Sequence, residues 1–292
     1  MGVEELIQGL IYGLTMGSIY ALVALGLTMV FAAMSVLNFA HADILMIGTF
    51  TCLTILTRTN IPILLAILVS LILSYLIGIV MALGVFKPMG DATSLAMLLA
   101  TIGVSAILRN VALIIWGAET RAFPAIFPSE PIHFGNLIIV QRDLYTIMIA
   151  FLIMAVLWFF FIKTKTGKAI RAANNDRFAA RLMGINTDIT TSLSFGISAV
   201  LGTIAGILLA PIIFVSFYMA PSIVLKAFAA AVIGGLGNFY GAIVGGLFLG
   251  LIENFGSRYV SSAYRDAISY GILIIVLFWR PKGIFGERGG TK

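Results

Sequence analysis

Four charged side chains interrupt long apolar stretches of this sequence and are the residues most able to do chemistry there. They are Asp43, Arg109, Lys226 and Glu253. A charge inside a bilayer costs about 2.5–3.5 kcal/mol on insertion scales, so such residues usually pair or face a wet cavity. For Lys226 and Glu253 we favour a structural ion pair, with a substrate or gating role as the alternative. Asp43 fits a membrane interface, and Arg109 can extend its guanidinium toward one.

The sequence contains no strong motif for catalysis or for metal or nucleotide binding. It has no Gly-x-x-x-x-Gly-Lys-Ser/Thr, so no P-loop, and no His-Glu-x-x-His. Cys52 is the single cysteine and makes no zinc motif. Gly103-Val104-Ser105-Ala106 faintly suggests an intramembrane serine protease, but neither His41 nor His133 is placed to act as its base. The acids do not gather in one core, which disfavours a proton-coupled pump. We therefore predict a protein that is not an enzyme and has no cofactor or metal of its own.

The amino-acid composition indicates the environment in which these residues lie. The 292 residues are 61% hydrophobic and 10% charged, with mean hydropathy +1.10. A soluble domain carries about 25% charged residues. A soluble enzyme, a disordered chain and a disulfide scaffold are therefore excluded, and the net charge of +6 concerns membrane sidedness rather than nucleic acid. We predict an all-α polytopic membrane protein.

Eight segments are long and apolar enough to cross a bilayer, which takes about 20 residues. Pro211 and Pro221 are expected to break the chain after the sixth. A shorter ninth segment, 223–236, contains Lys226 and ends in Gly234-Gly235-Leu236-Gly237, which is typical of a half-helix or a re-entrant element. The eight spans are predicted at 6–34, 41–57, 61–86, 93–116, 144–162, 189–210, 240–255 and 267–279.

Lysine and arginine set the predicted orientation, because they concentrate in cytoplasmic loops. The loop 163–188 and the tail 280–292 are both rich in them and are expected on the cytoplasmic side. The proline-containing loop 117–143 then lies outside, and so does the N-terminus, which lacks the basic start of a signal peptide. An even number of crossings must separate the two basic segments, so 223–236 has to count as a crossing or as a pair of half-crossings.

Small residues recur at four-residue spacing, which allows close helix packing in lipid and is the interpretation we favour. Sliding of such faces during a conformational cycle is the alternative, mainly at Gly234, Gly235, Gly237 and Gly241. A weak parallel repeat relates residues 38–42 to 238–242, since both begin with Asn-Phe and precede a glycine-containing span. The spaced sets are Gly9, Gly13, Gly17 and Ala21; Ser198, Gly202, Gly206 and Ala210; Gly241 and Gly245; Gly246 and Gly250.

The loop 163–188 is predicted to contain one helix of about four turns over 166–186. Thr166 is the expected N-cap, and Gly184 is expected to end the helix. Such a basic helix either lies on the anionic inner leaflet or docks into a groove of a cytoplasmic partner. Its caps and alanine-rich face favour docking.

Several segments together resemble one known family over nearly the whole chain. They are Gly17-Ser18-Ile19-Tyr20-Ala21-Leu22, residues 38–48, Gly167-Lys168-Ala169-Ile170-Arg171-Ala172 with Gly184-Ile185-Asn186, residues 226–235 and Arg280-Pro281-Lys282-Gly283-Ile284-Phe285-Gly286. The sequence is similar in these segments to the smaller permease subunit of high-affinity branched-chain amino acid ABC importers. The outer loop 117–143 is the least similar part.

This resemblance implies a single permease domain over 1–292 with the type II ABC importer fold, in a bacterial inner membrane. Its implied partners are a second, similar permease, two cytoplasmic ATPases that bind the ATP, an extracytoplasmic solute-binding protein and membrane lipid, but no nucleic acid. The substrate implied is a branched-chain amino acid, and relatives that move urea, short amides or aromatic acids keep other substrates open.

The resemblance also directs the choice of site residues. Translocation-path candidates are Asn38, His41, Asp43, Lys226, Gly234, Gly235, Asn238 and Glu253. ATPase-coupling candidates in the loop 163–188 are Gly167, Lys168, Arg171, Ala172, Asp176, Arg177, Ala180 and Gly184. A stand-alone channel or secondary carrier is the alternative function, and it would have no need of a docking helix.

Overall fold

A computed structural model gives the structure and describes residues 3–90, 92–128, 130–134, 137–259 and 261–286. Over these residues the chain is helical except for one β-hairpin and the connecting loops. The helices are α1 (Val3–Met34), α2 (His41–Arg58), α3 (Ile63–Met81), α4 (Lys87–Met89), α5 (Ser94–Trp116), α6 (Gln141–Lys163), α7 (Lys165–Asn175), α8 (Arg177–Leu182), α9 (Thr187–Ile213), α10 (Met219–Gly234), α11 (Phe239–Tyr259) and α12 (Arg265–Trp279). A π-helical turn (Ala82–Phe86) joins α3 to α4, and a 3₁₀ turn (Ser262–Tyr264) precedes α12.

Seven helical segments in the described part of the chain are long and apolar enough to cross a membrane. Helix α2 forms where the second span was predicted, but it is not among the seven, because His41, Asp43 and Arg58 place polar groups at both ends of its 18 residues. The predicted ninth segment is the shorter apolar helix α10. The polytopic helical prediction is therefore confirmed.

The two prolines do not break the chain where the sequence suggested. Pro211 lies inside the last turn of α9, and Pro221 lies in the first turn of α10. A proline is tolerated in a first turn because that N–H has no partner within the helix. The chain instead turns between the helices, where Phe214 adopts a φ of 64°.

A short antiparallel hairpin within the loop 117–143 departs from the all-α prediction. Strands β1 (Pro131–Phe134) and β2 (Leu137–Val140) pair in the register Pro131↔Val140 and His133↔Ile138. The prolines and the low hydropathy of the loop 117–143 indicate a connecting loop and give no signal for strands.

Contacts divide the chain into two compact units. Unit 1 comprises Met1–Thr28, Ala125–Leu152 and Leu225–Lys292, and unit 2 comprises Met29–Pro124 and Ile153–Val224. Each unit is assembled from segments far apart in sequence. The single permease domain therefore stays a prediction about the chain as a whole.

In unit 1 the predicted glycine faces are in contact, which confirms their packing role. A Cβ on Gly17 would lie 2.9 Å from the Leu247 Cα, and one on Gly250 would collide with the backbone of Gly17. Helices α1 and α11 therefore approach at backbone distance, as small residues allow in lipid.

Unit 2 has a core of buried apolar side chains around α2, α3 and α9. Helix α9 contributes Gly202, where a Cβ would lie 3.1 Å from the His41 ring, and Gly206, where one would meet Leu45 and Thr49. The core cluster consists of Val30, Val36, Ala40, Ile44, Met81, Ala82, Phe86, Met97, Phe195 and Ala199.

Candidate functional site

A buried carboxylate in unit 1 lies at the centre of a group of charges. Glu253 on α11 accepts hydrogen bonds from the Tyr20 hydroxyl at 3.1 Å and the Ser269 hydroxyl at 2.8 Å. Its Oε1 lies 2.9 Å from Lys226 Nζ and 3.3 Å from Arg265 Nε. Only 2% of its side chain is exposed, so this ionised group depends on these four donors for its solvation.

Lys226 on α10 binds a second carboxylate. Its Nζ is 2.8 Å from Asp266 Oδ1, and the ammonium lies 5.8 Å from the centre of the Tyr20 ring. The Lys226 side chain is 8% exposed and the Asp266 side chain 61%. The expected Lys226–Glu253 pair therefore forms. The two positive and two negative charges balance within the cluster, and one of them, Asp266, is open to the surroundings.

The glycine-rich break after α10 is a tight turn with a structural role. Gly235 has a φ of 110°, a left-handed conformation that suits glycine. A Cβ on Gly234 would collide with the backbone of Gly241. The C-terminal tail locks this turn, since Phe285 N donates to Gly234 O at 2.9 Å.

The two asparagines of the weak repeat hold similar local positions. Asn238 Oδ1 accepts from Gly241 N at 2.9 Å at the start of α11. Asn38 Oδ1 accepts from Ala40 N at 3.1 Å just before α2. Each asparagine therefore stabilises the turn that leads into a helix.

Asp43 and Arg109 form an ion pair in unit 2. Arg109 Nε lies 3.3 Å from Asp43 Oδ1, and Ser105 also donates to the Asp43 carboxylate. Asp43 is 1% exposed. Asp43 and Arg109 therefore pair with each other, and the depth of this pair in the membrane stays a prediction. A charge this deeply buried needs a partner, and α5 supplies one.

His41 is buried at the start of α2. Its Nδ1 lies 3.0 Å from the Ser198 hydroxyl of α9. The imidazole thus helps to join α2 to α9 beside the close contact at Gly202.

The loop 163–188 contains two helices, not the single one predicted. The N-cap of α7 is Thr164, whose hydroxyl accepts from Gly167 N at 3.0 Å, rather than Thr166. Asp176 ends α7 and caps α8, because its carboxylate accepts from Phe178 N and Ala179 N at 2.9 Å each. A side chain that bonds two free N–H groups favours a new helix start over continuation.

The end of α8 is as predicted. Gly184 has a φ of 81°, the left-handed conformation typical of a residue that follows a helix.

The coupling candidates divide into inward and outward groups. Gly167 packs on the backbone of α6, so that a Cβ there would collide with Phe160. Ala180 is buried. Arg177 is turned inward, with Nη2 3.1 Å from Thr191 Oγ1 and Nη1 3.4 Å from Met34 Sδ. The exposed candidates are Lys168, Arg171, Ala172, Asp176 and Gly184.

Three exposed apolar residues of this loop were not among the predicted site residues. Phe178 is 73% exposed, Leu182 73% and Met183 83%. Their signal in the sequence is three large apolar residues within a loop that is rich in Lys and Arg. In unit 1 the missed members of the charge cluster are Tyr20, Arg265, Asp266 and Ser269, polar groups whose partners lie on other helices.

The translocation-path candidates form two local groups. Asn38, His41 and Asp43 belong to unit 2, while Lys226, Gly234, Gly235, Asn238 and Glu253 belong to unit 1. Within the described residues, no group of three or more His, Cys, Asp or Glu side chains is close enough to hold a metal ion.

Comparisons with known proteins place these features in a family. Residues 9–277 match the family described as branched-chain amino acid transport system, permease component. The chain is 35% identical over 208 residues to the high-affinity branched-chain amino acid transport system permease protein LivH of Escherichia coli, covering 69% of this chain and 67% of that one. It is 33% identical over 210 residues to the corresponding protein BraD of Pseudomonas aeruginosa, with the same coverage. A probable LivH of Methanocaldococcus jannaschii is 32% identical over 145 residues, 47% of this chain and 46% of that one.

Proposed function

Because this chain belongs to the family of branched-chain amino acid transport permeases, we propose that it forms the membrane path of an ATP-driven, binding-protein-dependent importer of branched-chain amino acids. The family is one of transporters and not of enzymes. The observation that carries the proposal is the match over residues 9–277, which includes every membrane-spanning helix except the ends of the first and last.

The partners in this proposal are a second permease, two cytoplasmic ATPases that bind the ATP and an extracytoplasmic solute-binding protein. The exposed apolar face of α8, formed by Phe178 and Leu182 with Met183 just after the helix, is the ATPase contact. In a stand-alone channel no cytoplasmic partner would cover this apolar face, and its exposure to water would be unfavourable. The contacts of Arg177 with Thr191 on α9 and Met34 on α1 then stabilise the position of α8 against the membrane helices.

The proposed orientation places the loop 163–188 and the tail in the cytoplasm and the hairpin outside. The contacts at the helix ends of unit 2 support it, because the end of α1 meets Arg177, and Lys87 lies 3.2 Å from Asp188. In unit 1 the start of α1 meets the hairpin, with Gln8 Nε2 3.2 Å from Ile138 O. In this orientation α10 is a full crossing.

In this proposal each group of buried polar residues is a candidate for the translocation path within its own unit. Glu253 and Lys226 supply charge in unit 1, and His41 and Asp43 supply polar groups in unit 2. Alternating access would change the surroundings of each group as the ATPases close and open.

The first test is purification in mild detergent with a tag on the C-terminal tail, followed by mass spectrometry of the proteins that co-elute. We expect a second polytopic subunit and ATPases with P-loops. Elution of this chain alone as a homo-oligomer would instead favour the channel or carrier.

A second test removes the apolar face of α8. We expect Phe178→Glu with Leu182→Glu to abolish ATPase co-elution and leucine uptake in cells while leaving membrane insertion intact. The control is Lys163→Gln with Lys165→Gln, which changes the charge of the same loop by the same amount at two exposed side chains. Normal co-elution and uptake with the α8 double variant would refute the docking role.

A further inference from the structure

Two neighbouring cavities in unit 2 lie between the start of α9 and the end of α3 with its π-helical turn, and the first of them also reaches α8. The first has a volume of about 270 Å³ and is lined by Lys87, Arg177, Arg181 and Asp188 among its charged side chains. The second has a volume of about 320 Å³. Both are lined in part by Leu83, Lys87, Asp188 and Ser192, so the two cavities adjoin along these side chains and together make up one groove.

The first cavity carries excess positive charge. Its described lining holds three cations and one carboxylate, and that carboxylate, Asp188, already pairs with Lys87 at 3.2 Å. Arg177 bonds the Thr191 hydroxyl and the Met34 sulfur, and Arg181 donates to Thr187 Oγ1 at 2.8 Å. These acceptors are neutral, so both guanidinium charges remain available to an anion. Guanidinium groups match the geometry of phosphate oxygens.

The second cavity has apolar lining residues from both α3 and α9. Its lining adds Ile79, Ile189 and Leu193, together with the polar Asn186, to the shared residues. Beside it, the outer face of α3 is apolar and exposed, with Leu76 at 51% and Val80 at 67%. An exposed face of this kind on a membrane-spanning helix is suited to contact lipid chains.

We propose that this groove binds one anionic phospholipid, with its phosphate between Arg177, Arg181 and Lys87 and an acyl chain along Ile79, Leu83 and Leu193. A positively charged cavity beside a cavity with apolar lining residues matches an amphipathic ligand better than free phosphate. Free phosphate would leave the second cavity empty. A lipid held there links α8 to α3 and α9. In the orientation proposed above, the site faces the inner leaflet, whose surface is negatively charged.

The experiment is native mass spectrometry of the purified full chain, delipidated and then titrated with phosphatidylglycerol or phosphatidylcholine. We expect one tightly bound phosphatidylglycerol and no comparable phosphatidylcholine. Arg177→Gln with Arg181→Gln should weaken phosphatidylglycerol binding by roughly 30-fold, since two interfacial cations are lost. The control is Lys163→Gln with Lys165→Gln, which removes the same charge from the same loop and should bind as the wild type does.

A second pair of variants tests the proposed acyl-chain position in the second cavity and leaves both arginines in place. Leu83→Trp should fill the groove and reduce phosphatidylglycerol binding at least tenfold. Val80→Trp, one turn away on the outward face, should leave it unchanged. Circular dichroism and gel filtration check that each variant is folded, and if the arginine variant is not, the Leu83 and Val80 pair decides.

Three results would overturn the proposal. The first is equal binding of phosphatidylcholine and phosphatidylglycerol. The second is wild-type binding by both the arginine variant and Leu83→Trp. The third is displacement of bound lipid by millimolar inorganic phosphate, which would mean that the cavity is a simple anion site. None of these depends on transport, so they leave the proposed function untouched.

Discussion

Glu253 shows how single residues are accommodated inside this membrane protein. Its carboxylate receives donors from three other helices of unit 1, namely Tyr20 on α1, Lys226 on α10 and both Arg265 and Ser269 on α12. A buried charge without partners is strongly unfavourable, so the four helices are held in the one arrangement that satisfies it. Asp43 follows the same rule in unit 2 with Arg109 and Ser105.

Lys226→Met should destabilise the protein markedly. It leaves Glu253 with one cation fewer and Asp266 without its partner, and breaking a buried pair typically costs about 3–5 kcal/mol. Thermal unfolding in detergent measures the loss.

Two further variants help to interpret the result for Lys226→Met. Adding Glu253→Gln should recover part of the stability, because the uncompensated charge is removed. Lys163→Met, at an exposed side chain, should have little effect. If Lys226→Met unfolds at the wild-type temperature and supports wild-type uptake, the pair is dispensable.

At the scale of helices, two features organise the chain. They are the glycine faces, which allow close packing, and the capping side chains that end one helix and start the next. The α1–α11 contact needs Gly13, Gly17, Gly246 and Gly250, because a Cβ at any of them would press on backbone or on a side-chain atom near it. Without a hydrophobic force between helices in lipid, such close packing is a main source of their association.

Gly250→Ala should destabilise the protein, because the added Cβ collides with the backbone of Gly17, which cannot move aside as a flexible side chain would. Overpacking of this kind costs about 1–3 kcal/mol. The matched control is Gly103→Ala on α5, where nothing lies within 4 Å of the added Cβ. Comparable unfolding temperatures for the two variants would contradict the backbone-contact interpretation.

The break between α7 and α8 gives a second prediction at this scale. Asp176→Ala removes the only side-chain cap of α8, which costs about 0.5–2 kcal/mol for a typical N-cap. Hydrogen exchange at Phe178 and Ala179 should accelerate, and uptake should fall. Asp176→Asn keeps the acceptor oxygen and should behave nearly as the wild type. Equal exchange in both variants would show that α8 is held by its contacts with α9 alone.

At the scale of the whole molecule, sidedness is the property that the function requires. Lys and Arg gather in the loop 163–188 and the tail, while the hairpin lies in the connecting region between α5 and α6. Because successive membrane-spanning helices run in opposite directions, this distribution predicts on which side of the membrane each loop lies.

Cysteine labelling tests this orientation. In a Cys52→Ser background, His133→Cys in the hairpin should react with a membrane-impermeant maleimide in intact cells. Lys165→Cys at the start of α7 should react only after lysis. Both parent residues are exposed, so access to the reagent reports the side and not burial. The reverse pattern would invert the orientation and move α8 outside.

Features that depend on local composition could be predicted from the amino-acid sequence. Runs of apolar residues placed the helices to within a few residues, because bilayer thickness sets their length. Four-residue glycine spacing predicted the close faces, and the family segments predicted the transporter. Gly184 was recognisable as a helix end, since few other residues adopt its backbone conformation.

Contacts between residues far apart in sequence became visible in the folded chain. The partner of Asp43 lies 66 positions away on α5, and the second partner of Lys226 is Asp266 on α12. The split at Asp176 and the cap at Thr164 also escaped prediction, because several side chains in that loop can cap a helix and packing selects among them. Ion pairs between helices and the lipid groove depend on the side chains that folding brings together, and a periodic sequence pattern does not specify those contacts.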